Sequence, residues 1–183
     1  MRILTCAFVA TLALTMSACG EDDPPPPDPT SAATTPANPD ATLRPMPAVA
    51  QEFTPNGAAT FVAHYVRILD YASKTGDVEE LARLSSPTCE GCTRYVDLFR
   101  SLYRNGGAAK GRDWTRSATE LRFQRDRTAE TLATTTLRIS AGTVQESADS
   151  AANNFPATED LVTFGLTYDA EWRITQFVTG GVE

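Results

Sequence analysis

Residues 162–176, VTFGLTYDAEWRITQ, decide the fold class of this chain. Apolar and polar side chains alternate along residues 162–168, the chain turns at residues 169–171, and the alternation resumes at Trp172. A period of two with β-branched and aromatic side chains is typical of antiparallel strands joined by a tight turn. The sequence therefore predicts a β-hairpin near its end.

Three helices are predicted upstream of this hairpin. Residues 54–76 open with a Thr-Pro helix start, carry apolar residues at helical spacing and end on a glycine. Residues 77–80, DVEE, form a capping-box pattern, with Asp77 as the cap and Glu80 reaching back, before a short second helix. A third apolar stripe runs from Cys92 to Tyr103.

The strands follow the helices. Alternating patterns cover residues 119–126, 131–140 and 143–147, whereas residues 148–159 are predicted to be a loop. Helices first and strands afterwards indicate an α+β fold. We expect residues 51–183 to form one domain, with three N-terminal helices packed on a curved antiparallel β-sheet.

The N-terminus resembles a bacterial lipoprotein signal. An uncharged apolar run follows Arg2 and ends in Ser-Ala-Cys-Gly at residues 17–20. The run is shorter than the about 20 residues that span a bilayer, so residues 1–18 are predicted to be removed. Lipid on Cys19 would then anchor the mature protein to the outer face of the cell membrane. The alternative is an ordinary secretory signal with an incidental cysteine.

Residues 19–50 are predicted to be the lipidated cysteine and a disordered tether. Nine of the chain's 12 prolines lie in residues 20–50, which carry few apolar side chains. Such a segment cannot offset the entropy of folding, and proline keeps it extended. A spacer is favoured over a proline motif that a partner would bind.

Composition and motifs exclude several kinds of partner. The net charge is −7, and no block of Lys or Arg follows the first residues, so a nucleic-acid partner is not expected. His64 is the only histidine, so the remaining cysteines lack further zinc ligands. We expect no metal and no cofactor.

Cys89 and Cys92 stand three residues apart at the start of the third predicted helix. One helical turn brings such Cα atoms to about 5 Å, within the range of a disulfide. A thiol-disulfide exchange site is the functional alternative, because a helix N-terminus lowers the pKa of a thiol. A helix rather than a strand precedes the motif, and Glu90 opposes thiolate formation, so a structural disulfide is favoured.

His64 lies about 100° from the centre of the first helix's apolar stripe, and we expect it to be half exposed at the edge of that stripe. The sequence has no nucleophile-elbow motif and no second histidine, so no catalytic residue is assigned.

Residues 168–174, YDAEWRI, end a helix-then-meander order that resembles the cone-shaped fold of the nuclear transport factor 2-like (SnoaL-like) superfamily. The motifs RPMP at residues 44–47, TGD at 75–77 and CEGC at 89–92 are similar to an uncharacterised family of actinobacterial lipoproteins. This second resemblance covers residues 45–183 and carries no assigned activity.

The superfamily resemblance implies a cavity, and the superfamily includes isomerases, dehydratases, ligand binders and docking modules. The side chains that could line such a cavity are His64, Tyr65, Tyr103, Trp114 and Trp172, with Asp70 and Asp97 as possible carboxylates. Core packing is the commoner role of the four aromatic residues.

We therefore expect a lipid-anchored, non-catalytic module of the cell envelope that binds a protein partner or a small apolar ligand. The alternatives are a small isomerase or dehydratase that uses the cavity, and a thiol-disulfide protein that uses Cys89 and Cys92.

Overall fold

The computed structural model of the chain describes residues 42–126 and 128–180. The predicted signal segment, Cys19 and most of the predicted tether lie outside these residues. The α+β class, the three helices and the antiparallel strands are confirmed.

The first helical element begins before the predicted domain boundary at residue 51. Ala48–Gln51 is a 3-10 helix, and Ala50 is fully buried in the core. The three α-helices are α1 (Pro55–Thr75), α2 (Glu79–Arg83) and α3 (Glu90–Arg104).

The caps of α1 follow the predicted chemistry, whereas the cap of α2 does not. The Thr54 hydroxyl accepts a hydrogen bond from the backbone N–H of Gly57 at 2.9 Å. Gly76 ends α1 with a φ of 74°, a left-handed conformation that glycine adopts without a Cβ penalty. At α2, the Asp77 carboxylate accepts from the Glu79 N–H at 3.1 Å. Glu80 binds Arg83 instead of reaching back, so the predicted capping box is wrong.

The described residues contain eight antiparallel strands in two sheets. They are β1 (Ala108–Lys110), β2 (Trp114–Arg116), β3 (Glu120–Arg122), β4 (Thr131–Ile139), β5 (Gly142–Gln145), β6 (Ala152–Phe155), β7 (Thr158–Asp169) and β8 (Glu171–Thr179). The large sheet has the order β2-β4-β7-β8, with β3 also paired to β4. The small sheet has the order β1-β5-β6. The predicted single curved sheet is thus two sheets, neither of them closed.

The short strands differ most from the sequence pattern. Residues 119–126 contain only the three-residue β3, and the predicted loop at 148–159 contains β6 and the start of β7. All four residues of β6 are exposed, so no apolar alternation marks this strand. β1 and β2 have three residues each, which is too short for a periodic pattern.

The core lies between the helices and one face of the large sheet. Phe61, Tyr65 and Leu69 of α1 are fully buried, as are Phe164 and Leu166 of β7. These positions recur every four residues on the helix and every two on the strand, so they share one face of each element. The hairpin predicted from residues 162–176 is confirmed as the β7–β8 pair.

The first turn of α3 rests directly on β8. A Cβ atom at Gly91 would lie 2.2 Å from the carbonyl oxygen of Phe177. The rings of Tyr95 and Phe177 are stacked, with centroids 4.9 Å apart. Gly91 therefore lets the helix approach the strand closely enough for the two rings to touch.

We expect Gly91→Ala to lower the free energy of unfolding by about 1–3 kcal/mol, because the new methyl group overlaps the Phe177 backbone. In an unobstructed helix the same change stabilises by about 0.5–1 kcal/mol, so the two effects have opposite signs. Urea unfolding followed by circular dichroism measures the difference. An increase in stability would show that α3 does not contact β8 in this way.

Candidate functional site

An open groove of about 550 Å³ is lined by α3, by the small sheet and by the ends of β2 and β4. Nine of its 14 lining residues are apolar, which is typical of sites that take apolar groups. The apolar residues are Tyr95, Leu98, Phe99, Leu102, Ala109, Trp114, Ile139, Val144 and Phe155.

Three aromatic rings form the rigid part of the groove. Trp114 meets Tyr95 at 88° and Phe99 at 90°, with centroids 5.4 and 6.1 Å away. Each edge-to-face contact of this kind stabilises the folded state by about 0.5–1.5 kcal/mol, in addition to the contribution of the buried apolar area. Tyr95 and Phe99 are four residues apart on α3, so one helix face presents both rings.

An ion pair network holds Trp114 in place. Its backbone N–H donates to the Asp70 carboxylate at 2.9 Å, and Lys74 contacts Asp70 at 2.9 Å and Asp113 at 2.6 Å. The hydrogen bond from Lys74 lowers the pKa of Asp113 below its usual value. These charges tie α1 to the segment that begins β2.

The mouth of the groove leaves apolar surface open to solvent. Leu98 is 56% exposed and Phe155 is 41% exposed. The Arg112 guanidinium lies 5.2 Å from the centroid of the Phe155 ring, and it also donates to the Pro156 carbonyl at 3.2 Å. Glu146 is the acidic lining residue. The mouth therefore carries one charge of each sign beside an exposed apolar surface.

Of the five aromatic or histidine residues predicted to line a cavity, Trp114 lines the groove and the others do not. The Tyr65 hydroxyl is hydrogen-bonded to the Ser85 hydroxyl at 2.9 Å, and burial raises the pKa of Tyr65. The Tyr103 hydroxyl donates to the Ser73 carbonyl at 2.9 Å. Trp172 donates to the Glu52 carbonyl at 2.9 Å. Tyr65, Tyr103 and Trp172 therefore pack in the core, which is the commoner role of aromatic residues.

His64 is 1% exposed, so the prediction of a half-exposed side chain is wrong. Neither ring nitrogen has a hydrogen-bond partner among the described residues. Burial lowers the pKa of His64, and the nearby charge of Arg67 lowers it further. The apolar pattern of α1 gives the position of His64 at the edge of the stripe, but it does not reveal that other segments of the chain cover this edge.

The carboxylates predicted as cavity residues also have other roles. Asp70 holds the Trp114 backbone and Lys74, as described above. Asp97 pairs with Arg100 at 3.2 Å, and its side chain is 63% exposed. The structure therefore does not bring a histidine and a carboxylate together in the groove.

Cys89 and Cys92 form a disulfide in the structure, with Cα atoms 5.2 Å apart. Both residues are 1% exposed. The Cys89 sulfur accepts a hydrogen bond from the Cys92 N–H at 3.2 Å and caps α3. The disulfide lies about one helical turn before Tyr95, so it stabilises the start of the helix that carries the rings of the groove.

Sequence reasoning missed Tyr95, Leu98, Val144 and Phe155 as groove residues. A Tyr–Phe pair four residues apart on the third helix was the available signal for Tyr95. Phe155 belongs to a segment predicted to be a loop, so the sequence did not predict that it lies in a strand beside the groove.

Residues 31–177 match a family of unknown function, DUF6318. The chain belongs to this family. The match to DUF6318 includes every residue that lines the groove. A search of curated proteins finds no match.

Residues 42–126 and 128–180 contain neither a candidate membrane span nor a candidate metal site. In these residues of the DUF6318 protein, no helix is long and apolar enough to cross a membrane. The same residues contain no group of three or more His, Cys, Asp or Glu side chains able to hold a metal ion.

We expect the free energy of unfolding to fall as the pH drops below about 6.5, the ordinary pKa of histidine. The unfolded chain takes up a proton there that buried His64 resists, so acid favours unfolding. Urea unfolding at pH 7.5, 6.5 and 5.5 measures this slope. The carboxylates contribute little in that window, because their ordinary pKa values lie near 4.

His64→Leu should remove the part of the pH dependence that His64 causes. It should also raise the free energy of unfolding by about 1–3 kcal/mol, because two buried nitrogens without hydrogen-bond partners are removed. His64→Gln is the matched control, since it cannot titrate but keeps a polar group in the core. It should remove the same share of the slope without the gain in stability. A wild-type slope in both variants would contradict the assignment to His64.

Proposed function

We propose that this chain is a lipid-anchored, extracytoplasmic binding module whose groove receives an apolar group of its ligand. The observation that carries the proposal is the ring cluster of Tyr95, Phe99 and Trp114 at an open groove of about 550 Å³. Small-molecule sites have about 300–1,000 Å³ and are mostly apolar with a few polar groups. The groove agrees with both criteria.

The exposed residues at the mouth support the same function. Leu98 and Phe155 remain in contact with water, and burying an exposed apolar side chain yields about 25 cal/mol per Å². The network of Asp70, Lys74 and Asp113 fixes the backbone of Trp114, and Tyr95 and Phe99 pack against its ring, before any ligand arrives. A preformed site of this kind loses little entropy on binding.

The proposed location rests on the N-terminal sequence. Signal removal after residue 18 and lipid on Cys19 would place the domain outside the cytoplasm, on the membrane surface. The proline-rich residues that follow would act as a spacer between the lipid and the 3-10 helix at Ala48–Gln51. A domain held near the membrane would meet ligands of the cell envelope.

We also propose that the domain is a diverged relative of the nuclear transport factor 2-like cones and of the actinobacterial lipoproteins that it resembles in sequence. In the part of the chain that the structure describes, three α-helices precede the eight strands, which agrees with that superfamily. In this proposal the two sheets correspond to the two ends of one curved sheet, and the groove corresponds to the mouth of the cone.

Catalytic alternatives have less support from the described residues. A general base needs access to the substrate, and His64 is 1% exposed within the core. Thiol exchange needs an accessible sulfur, and Cys89 and Cys92 are equally buried. Binding without chemistry therefore fits the groove best.

The test uses Nile red, an uncharged dye that fluoresces in apolar sites, and the mature chain from residue 19 onward carrying Cys19→Ser. This protein has neither the lipid nor the apolar signal segment, so it needs no detergent. We expect saturable binding of the dye. Leu98→Asp should weaken it about tenfold or more, because a bound apolar group would then cover an unpaired carboxylate.

Leu161→Asp is the matched control. Leu161 is 48% exposed on β7 and does not line the groove, so the change should leave the dye's affinity unaltered. Circular dichroism verifies that both variants are folded. Equal affinities in the two variants would refute binding in the groove.

A further inference from the structure

β6 is an open edge of the small sheet. Among the described residues, Ala152–Phe155 pairs with β5 and with no other strand. No backbone hydrogen bond from a described loop or helix reaches these four residues, and all of them are exposed. A strand with one antiparallel neighbour points every second N–H and C=O away from it, so β6 offers free donors and acceptors on its outer side.

This edge lacks the usual protection. Natural proteins guard exposed strand edges with charged side chains, prolines or a covering element. The sequence of β6 is Ala-Asn-Asn-Phe, with no charge and no proline before Pro156. Arg112 lies against the Phe155 ring, but no backbone of the described residues pairs with the outer side of β6, so this edge can pair with another extended chain.

The open edge also borders the groove. Phe155 belongs to β6 and lines the groove, as does Val144 of the neighbouring strand. Alternation places Asn153 on the same face as Phe155, and Asn153 is the cross-strand partner of Val144. A chain added beside β6 would continue this face, so its alternate side chains would project over the groove.

We propose that the groove and β6 together bind an extended peptide segment of a protein partner, with apolar side chains at alternate positions. The inference rests on the proposed function, because it assigns the apolar group in the groove to a peptide. A lipid or a small aromatic molecule could fill the groove, but only a polypeptide has N–H and C=O groups at the spacing of a strand edge.

The test uses two synthetic peptides with the mature chain from residue 19 onward carrying Cys19→Ser. The first is fluorescein-labelled Thr-Phe-Thr-Val-Thr-Phe-Thr, capped at its C-terminus as an amide. The second has the same side chains but is N-methylated at every residue, so it cannot donate to a strand edge. We expect the first to bind and to displace Nile red, and the second to bind at least about tenfold more weakly through the loss of about two hydrogen bonds.

Hydrogen exchange supplies a second readout at the edge itself. The first peptide should slow the exchange of alternate amides in residues 152–155, and the N-methylated peptide should not. Phe155→Ala should weaken the first peptide about tenfold, because its ring is shared by the groove and the edge. Leu161→Ala, a change of similar exposure on β7, should have no effect.

Each contrary result has a distinct meaning. Equal binding of both peptides, or Nile red binding without peptide binding, would overturn the peptide proposal and leave the proposed function standing. Slow exchange of the same amides without peptide, together with a dimer in sedimentation, would assign β6 to a second copy of the chain and also overturn it. If neither the first peptide nor Nile red binds, both the peptide proposal and the proposed function are refuted.

Discussion

The contact between α3 and β8 is the constraint on which the rest of the site depends. Gly91 allows the helix to approach the Phe177 backbone, and the stacking of Tyr95 on Phe177 follows from that approach. Tyr95 then meets the edge of Trp114, so one helix face becomes the wall of a groove. The Cys89–Cys92 disulfide closes the first turn of this helix, before the rings that the groove uses.

The charged groups beside Trp114 stabilise the geometry of the groove. Lys74 lies between Asp70 and Asp113, and Asp70 also accepts the Trp114 N–H. A carboxylate that accepts these two contacts is fixed in position, which suits a scaffold for the groove. His64 has no hydrogen-bond partner among the described residues and is buried in the core, where burial lowers its pKa.

The long periodic elements were predictable, and the parts that form the site were much less so. Helix α1 buries one broad face, and apolar residues alternate along the β7–β8 hairpin, so both elements leave a clear period in the sequence. β6 buries no residue, and β1 and β2 have three residues each, so they leave no such period. Because the groove lies between α3 and these short strands, the sequence pointed to Trp114 but not to Phe155 or Val144.

The order of helices and strands, the α+β class, the caps at Thr54 and Gly76, and the proximity of Cys89 and Cys92 follow from the sequence by itself. They depend on contacts within one turn of helix or on the period of one element. The tertiary structure alone decided that the strands divide into two sheets, that His64 is buried, and that β6 is an open edge beside an aromatic groove. These features arise from pairs of segments far apart in the chain, and no local pattern records which surfaces such segments cover.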